Sequence, residues 1–249
     1  QRRKMLTTIF QENMRTSLIY ILLLAITAAM PLHAQDTKHA ISVGNFTELS
    51  VFDNINVTYR CNTDSAGKAV ISGSQDLIDQ IILQNNQKGK LTVQVSTQLT
   101  LTHSQLPTLY VYSDSLLSAS NAGDSTLRLD NVAKVDQLKI VLSDNGKIIA
   151  HGLNAPQLLL SIRTGHGKII ADGTCSNLSV HNLGTGEIQA DNVTATDVHC
   201  RVVGTGTVGC FVNGGTLRVK GAGSGKVYYK GKPSNVKVTK IGSLKAIAM

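Results

Sequence analysis

The chain has 249 residues, 42% of them hydrophobic, enough apolar material for one large or two small domains and too much for wholesale disorder. Trp is absent, aromatic residues make up 4%, and Gly reaches 22 against 4 Pro, a balance that favours short strands with Gly turns over packed helices. The net charge is +8, and four Cys (Cys61, Cys175, Cys200, Cys210) are too few and too scattered for a disulfide scaffold.

Arg15, an apolar run from Leu18 to Ala29 and the closing Leu32-His33-Ala34 have the order of a secretory signal peptide. The run is shorter than the ~20 residues that cross a bilayer. Residues 1–34 are therefore expected to be an upstream extension before Met14 plus a signal peptide, with an exported chain beginning near Gln35. No Cys follows closely enough for lipoprotein acylation. This segment carries a net +3, which leaves +5 for the remainder, much of it near the end at Lys220, Lys226, Lys230, Lys232, Lys237, Lys240 and Lys245. Without aromatic stacking residues or a recognised motif, this charge does not point to nucleic acid. It fits a solvated face, or attraction to anionic glycans or lipid headgroups.

Residues 35–112 read as an irregular N-terminal β region. Phe46, Leu49 and Val51, then Ile55, Val57 and Tyr59, then Leu91, Val93 and Val95, alternate as strands do. The stretch from Ser74 to Leu83 is expected to hold a short capped helix or turn. This region is expected to begin the following array or to cap its edge.

Residues 113–249 are a repeat. Gly165-His-Gly167, Gly184-Thr-Gly186, Gly204-Thr-Gly206 and Gly223-Ser-Gly225 recur, with Asp144-Asn-Gly146 and Gly123-Asp-Ser125 as weaker copies. The second members lie 21, 21, 19, 20 and 19 residues apart. Two residues beyond each stands Leu127, Ile148, Ile169, Ile188, Val208 or Val227, and two further on Leu129, Ala150, Ala171, Ala190, Cys210 or Tyr229. A second strand precedes the pair at Leu138/Ile140, Leu178/Val180, Val198/Cys200 and Leu217/Val219. Units of two short strands cannot bury an apolar face alone and must stack. The fold expected is all-β: a parallel, right-handed β-solenoid of about six coils, with Gly pairs at a tight corner where one or both adopt positive φ. Cys200 and Cys210 point into one coil from opposing strands, which leaves open either a disulfide or two packed thiols.

Over roughly Ile41 to Met249 the chain resembles the head GIN domain family of putative auto-transporter adhesins. The resemblance is carried by the opening from Phe46 to Val57, the Gly-x-Gly-x-apolar units and, most specifically, the closing Gly225-Lys-Val-Tyr-Tyr-Lys-Gly-Lys-Pro233. It implies adhesion and supplies no catalytic residues.

Gly204-Thr-Gly206-Thr-Val-Gly209 matches the dinucleotide fingerprint in letters only, because strand residues follow where that mechanism needs a helix N-terminus. Gly165-His-Gly-Lys168 lacks the spacing of a phosphate-binding loop. Five residues beyond each second pair member stand Asp130, His151, Asp172, Asp191, Phe211 and Lys230. In a stacked coil these align along one edge, with His151 between two carboxylates. Asp130, His151, Asp172 and Asp191 are thus a candidate contact ladder, though Asp-Asn, His-Gly and Asp-Gly are also ordinary turn dipeptides. No metal-ligand spacing occurs elsewhere, and no cofactor is expected. The function expected is that of an exported, non-catalytic structural or adhesive module presenting solenoid faces to a glycan or a cell-surface protein. The alternative is a solenoid carbohydrate-active enzyme working at Asp130, His151 and Asp172, against which the near-constant spacing leaves no room for the insertions that would wall a cleft.

Overall fold

The structure is a computed structural model that describes residues 37–97 and 106–249. The expected signal peptide lies outside the described residues, as does His103. Thr37–Met249 form one compact unit.

From Ser118 onward the chain winds into a parallel solenoid of about seven turns. Each turn gives one strand to each of two ladders. The first ladder contains β8 (Ser118–Ala122), β10 (Gln137–Leu142), β12 (Gln157–Ile162), β16 (Thr216–Gly223) and β18 (Asn235–Gly242). The second contains β9 (Thr126–Asp130), β11 (Lys147–Asn154), β15 (Thr207–Val212), β17 (Lys226–Gly231) and β19 (Lys245–Ala248). Two long strands, β13 (Lys168–Asn182) and β14 (Glu187–Gly204), serve both ladders: their first halves lie between β11 and β15, their second halves between β12 and β16.

Stacking puts like on like. Leu127, Ile148, Ile169, Ile188, Val208 and Val227 pair in succession, and all are fully buried. Leu138, Leu158, Leu178, Val198, Leu217 and Val236 pair likewise on the other ladder, all buried but Val236 in the last coil. The core is the slot between the two, filled from both sides by every second residue. The Gly-pair count of six coils falls one short. In the last turn Gly242 pairs with Gly223, but buried Leu244 stands where the second glycine is expected, so the motif that marks a coil is broken there.

The two glycines of a pair do different work. The first takes positive φ at Gly165 (81°) and Gly204 (110°), where a side chain would be strained. The second is never in that region; it is small because the coil below reaches up beneath it. A Cβ on Gly186 would lie 2.9 Å from Ile162 Cδ1, and one on Gly206 2.4 Å from Asn182 Nδ2.

The N-terminal region is woven into the stack. β2 (Glu48–Phe52) and β3 (Val57–Cys61) form a rung of their own. On one side lie β8 and β9, and on the other β6 (Lys90–Val95) and β7 (Leu109–Ser113). Three antiparallel strands close this end: β4 (Lys68–Ser72) on β7, β1 (Lys38–Ser42) on β4, and β5 (Ile81–Asn85) on β6. The expected helix is a single turn, α1 (Gln75–Ile78), and Ser74 at its start makes no side-chain cap.

Cys200 and Cys210 are both free and buried. The neighbouring Cys210 thiol together with complete burial pushes the Cys200 thiol well above its ordinary value. Two packed thiols, not a bond, fill the coil.

Candidate functional site

The four ladder residues each stand fifth in their strand, β9, β11, β13 and β14, yet they do not converge. Asp130, at the end of β9, lies beside one arginine of the N-terminal rung and one of its own strand, with its carboxylate 3.9 Å from Arg60 and 3.7 Å from Arg128. Arg60 in turn lies over the Tyr110 ring, 5.4 Å from its centre. His151 pairs with the next coil instead: its Nδ1 is 2.6 Å from Asp172 Oδ2, and the Gly152 N–H donates to Asp172 Oδ1 at 2.7 Å. Burial works against the charge on Asp172, but the hydrogen bonds from Gly152 and His151 outweigh it and hold the carboxyl below its ordinary value.

Asp191 takes a third route. Ala190 pairs with Cys210 and Thr194 with Phe211, so residues 191–193 have no partner on β15 and the register is broken there. Asp191 reaches past the Phe211 coil to Lys230, whose Nζ donates to Oδ2 at 2.7 Å, and that hydrogen bond lowers its pKa. The expected row is therefore split into three separate groups of contacts. Among the described residues no three His, Cys, Asp or Glu side chains stand close enough to hold a metal ion together. A half-exposed His–Asp pair and two carboxylates already matched to cations can brace neighbouring coils; they do not form a pair of opposed carboxylates for acid–base work.

The fingerprint-like Gly204–Gly209 runs directly into β15, so no helix N-terminus is present there to receive a phosphate.

The other broad face is different. On the outer side of the first ladder, residues 179 and 181 of β13, 199 and 201 of β14, 218 and 220 of β16, and 237 and 239 of β18 stack in two adjoining columns. One column reads Ser179, His199, Arg218, Lys237 and the other His181, Arg201, Lys220, Thr239. Neither the Gly-pair alignment nor a search for shared histidine positions reveals this set, because His181 and His199 sit in different columns. Reading the outward residues of the strand before each Gly pair would have found it. Beside these columns runs a shallow groove of about 600 Å³, lined by Gln157, Asn177, Ser179, Asp197, Thr216 and Arg218 among others.

No helix among the described residues is long and apolar enough to cross a membrane. No curated protein matches the chain. Several solved structures share its fold. A putative adhesin from Bacteroides fragilis is 20% identical with a TM-score of 0.74, covering 86% of this chain and 96% of that one. A putative adhesin from Parabacteroides merdae is 19% identical with a TM-score of 0.65, over 87% and 97%. A putative lipid binding protein from Parabacteroides distasonis is 18% identical with a TM-score of 0.64, over 87% and 98%. At these identities the likeness speaks for the fold alone. The family described as putative auto-transporter adhesin, head GIN domain, matches residues 45–233, and the chain belongs to that family.

Proposed function

We propose that this protein is an exported, non-catalytic adhesive module that uses the outer faces of its solenoid to contact a surface-borne partner. One observation carries the reading: from Ser118 to Ala248 coil follows coil with no insertion long enough to wall a cleft, so the outward surface is ladder face throughout. The family supports adhesion as the class of function. The carbohydrate-active alternative draws no support from Asp130, His151 and Asp172, since each carboxylate is already occupied by its own partner.

Beads coated with residues 37–249 test the reading. Attachment to bacterial envelopes or glycan-coated surfaces is expected to exceed that of beads carrying the heat-unfolded chain, and His151→Asn is expected to leave it unchanged. Equal attachment by folded and unfolded chain would sink the proposal, and so would release of new reducing ends from a polysaccharide by the parent but not by the His151→Asn variant.

A further inference from the structure

The two outer faces of the solenoid differ in how many carboxylates they set among their cations. On the second ladder carboxylates stand among the cations: Glu187 with Lys168 at 2.9 Å, Asp191 with Lys230, and Asp130 with Arg60 of the neighbouring rung and Arg128 of its own strand. Lys147, Lys226 and Lys245 make no ion pair there among the described residues. On the first ladder, Arg218 stacks on Lys237 and Arg201 on Lys220, preceded in their columns by His199 and His181. Like charges opposite one another destabilise a sheet. None of these six side chains makes an ion pair, and among the outward first-ladder residues of these four coils the one carboxylate is Asp197. That carboxylate is taken up locally, accepting a hydrogen bond from the Thr216 backbone N–H at 2.8 Å. The four permanent cations are all exposed. With carboxylates set among the cations on one face and a single, locally held one on the other, the first ladder carries a positive strip along its axis.

We infer that this strip and the groove beside it bind an acidic polysaccharide, a linear sugar polymer bearing carboxylate or sulfate groups. Charge complementarity names the anion, and the columns favour a polymer, because adjacent cations recur at the rung spacing of ~4.8 Å along one direction. The groove wall of amide and hydroxyl side chains, Gln157, Asn177, Ser179 and Thr216, suits sugar hydroxyls. No Phe, Tyr or Trp ring stands on this face over these coils to form a stacking platform, so charge must supply most of the hold. The inference rests on the adhesive reading and gives its partner a chemistry.

Purified residues 37–249 are titrated with polygalacturonate and heparin, and with dextran, polyglutamate and phosphatidylglycerol vesicles. Tight, salt-sensitive binding to one or both acidic polysaccharides and none to dextran is expected. The variant Arg201→Gln/Arg218→Gln/Lys220→Gln/Lys237→Gln is expected to bind at least about tenfold more weakly. The variant Lys68→Gln/Lys147→Gln/Lys226→Gln/Lys245→Gln, which removes the same charge elsewhere, is expected to keep most of the affinity. Melting curves of both variants separate loss of binding from loss of fold. Equal weakening in the two variants would reduce the effect to net charge and overturn the inference. Preference for polyglutamate or for vesicles would overturn it in favour of an acidic protein or a lipid surface. Absence of binding to every polymer, with bead attachment intact, would overturn it and leave the adhesive reading standing.

Discussion

Asn182 and its counterpart Asn121 are fully buried polar side chains inside an apolar slot, at a position that Leu142, Ile162 and Val202 occupy in other coils. Each is satisfied by its own corner. Asn182 Nδ2 donates to the carbonyls of Gly186 at 2.8 Å and Thr207 at 3.3 Å, while its Oδ1 accepts from the Gly184 N–H. Asn121 repeats the pattern with Ser125, Lys147 and Gly123. These asparagines lock the turn from within and tie it to the next coil. Asn182→Ala is expected to cost about 2–4 kcal/mol, since buried backbone groups lose partners and a cavity opens. His151→Asn, which breaks an exposed pair, is expected to cost under about 1 kcal/mol. Denaturant titrations of the two variants check the ranking, and equal costs would contradict it. The sequence does not advertise Asn182, because a polar residue at the end of an alternating strand reads as the start of a turn. Its burial depends on the coil above.

At the scale of the element, the Gly pair was legible as a corner but its second member was not legible as a packing constraint. Positive φ is a local property that Gly spacing suggests; the approach of Leu142 beneath Gly167 is set by the neighbouring coil. A Cβ on Gly167 would lie 2.5 Å from Leu142 Cδ2 and 2.7 Å from the Gly146 carbonyl, whereas one on Gly152, at φ 65°, meets nothing within 4 Å. Gly152→Ala is therefore expected to cost about 1–2 kcal/mol from backbone strain alone. Gly167→Ala is expected to cost more than about 3 kcal/mol, or to abolish folding, because a carbonyl of the stacked coil cannot move aside. Thermal melts of the two variants decide it, and a smaller loss for Gly167→Ala would contradict this account of the second glycine.

The strand pairs of the basic columns also carry a pH signature. Burial lowers the pKa of His181, with further lowering from His199 and Arg201. It does the same for His199, helped by Lys220, Arg218 and Arg201. No acceptor meets the covered His199 Nε2, and the nearby carboxylate Asp197 is held by Thr216. A histidine depressed in the fold is protonated first in the unfolded chain, so above its ordinary value of 6.5 the fold loses nothing. As pH falls below that value the unfolded chain binds more protons and stability declines. Asp172, Glu187 and Asp191 have lowered values, and their contribution disappears only at still lower pH, so the windows are distinct. Melting temperature is expected to fall between about pH 7 and pH 5, and to fall less in His181→Gln/His199→Gln. Parallel curves for parent and variant would refute the assignment.

For the whole molecule, the parallel winding was legible because inward residues recur at nearly fixed intervals, while the weaving of the first rung was not. Leu49, Val51, Val57 and Tyr59 alternate like any strand pair, and nothing local says that they lie between β6/β7 and β8/β9 instead of at the end. The pairing is fixed by which edges remain when all the coils have stacked. It leaves the two ends unlike. The N-terminal end is closed by antiparallel β4, β1 and β5, whereas at the other end the inward Val236 and Val238 of β18 remain about 40% exposed and Lys237, Lys240 and Lys245 stud the last strands. Charged residues on an edge oppose pairing with another chain.

In such an array stability is close to a sum over coils and the interfaces between them, so whole coils are removable and fractions of coils are not. The register states where the cut must fall. Asn177 pairs with Asp197 and Leu178 with Val198, so deleting residues 178–197 joins Asn177 to Val198 and closes the chain on a complete turn. Val198 then takes the place of Leu178 on Leu158, Val208 the place of Ile188 on Ile169, and Val202 that of Asn182 on Ile162, with every inward contact still apolar. Deleting residues 178–187 instead puts Ile188 and Ala190 at the positions of Leu178 and Val180. It then brings Thr194 and Thr196 to the corner positions where Gly184 and Gly186 stood. That corner lacks its small residues, and the strand that follows meets the wrong ladder. The first variant is expected to melt cooperatively at a lower temperature than the parent, and the second to lose cooperativity and aggregate. Circular dichroism melts read alongside light scattering distinguish them. If both variants fold alike, stability in this protein is not organised coil by coil.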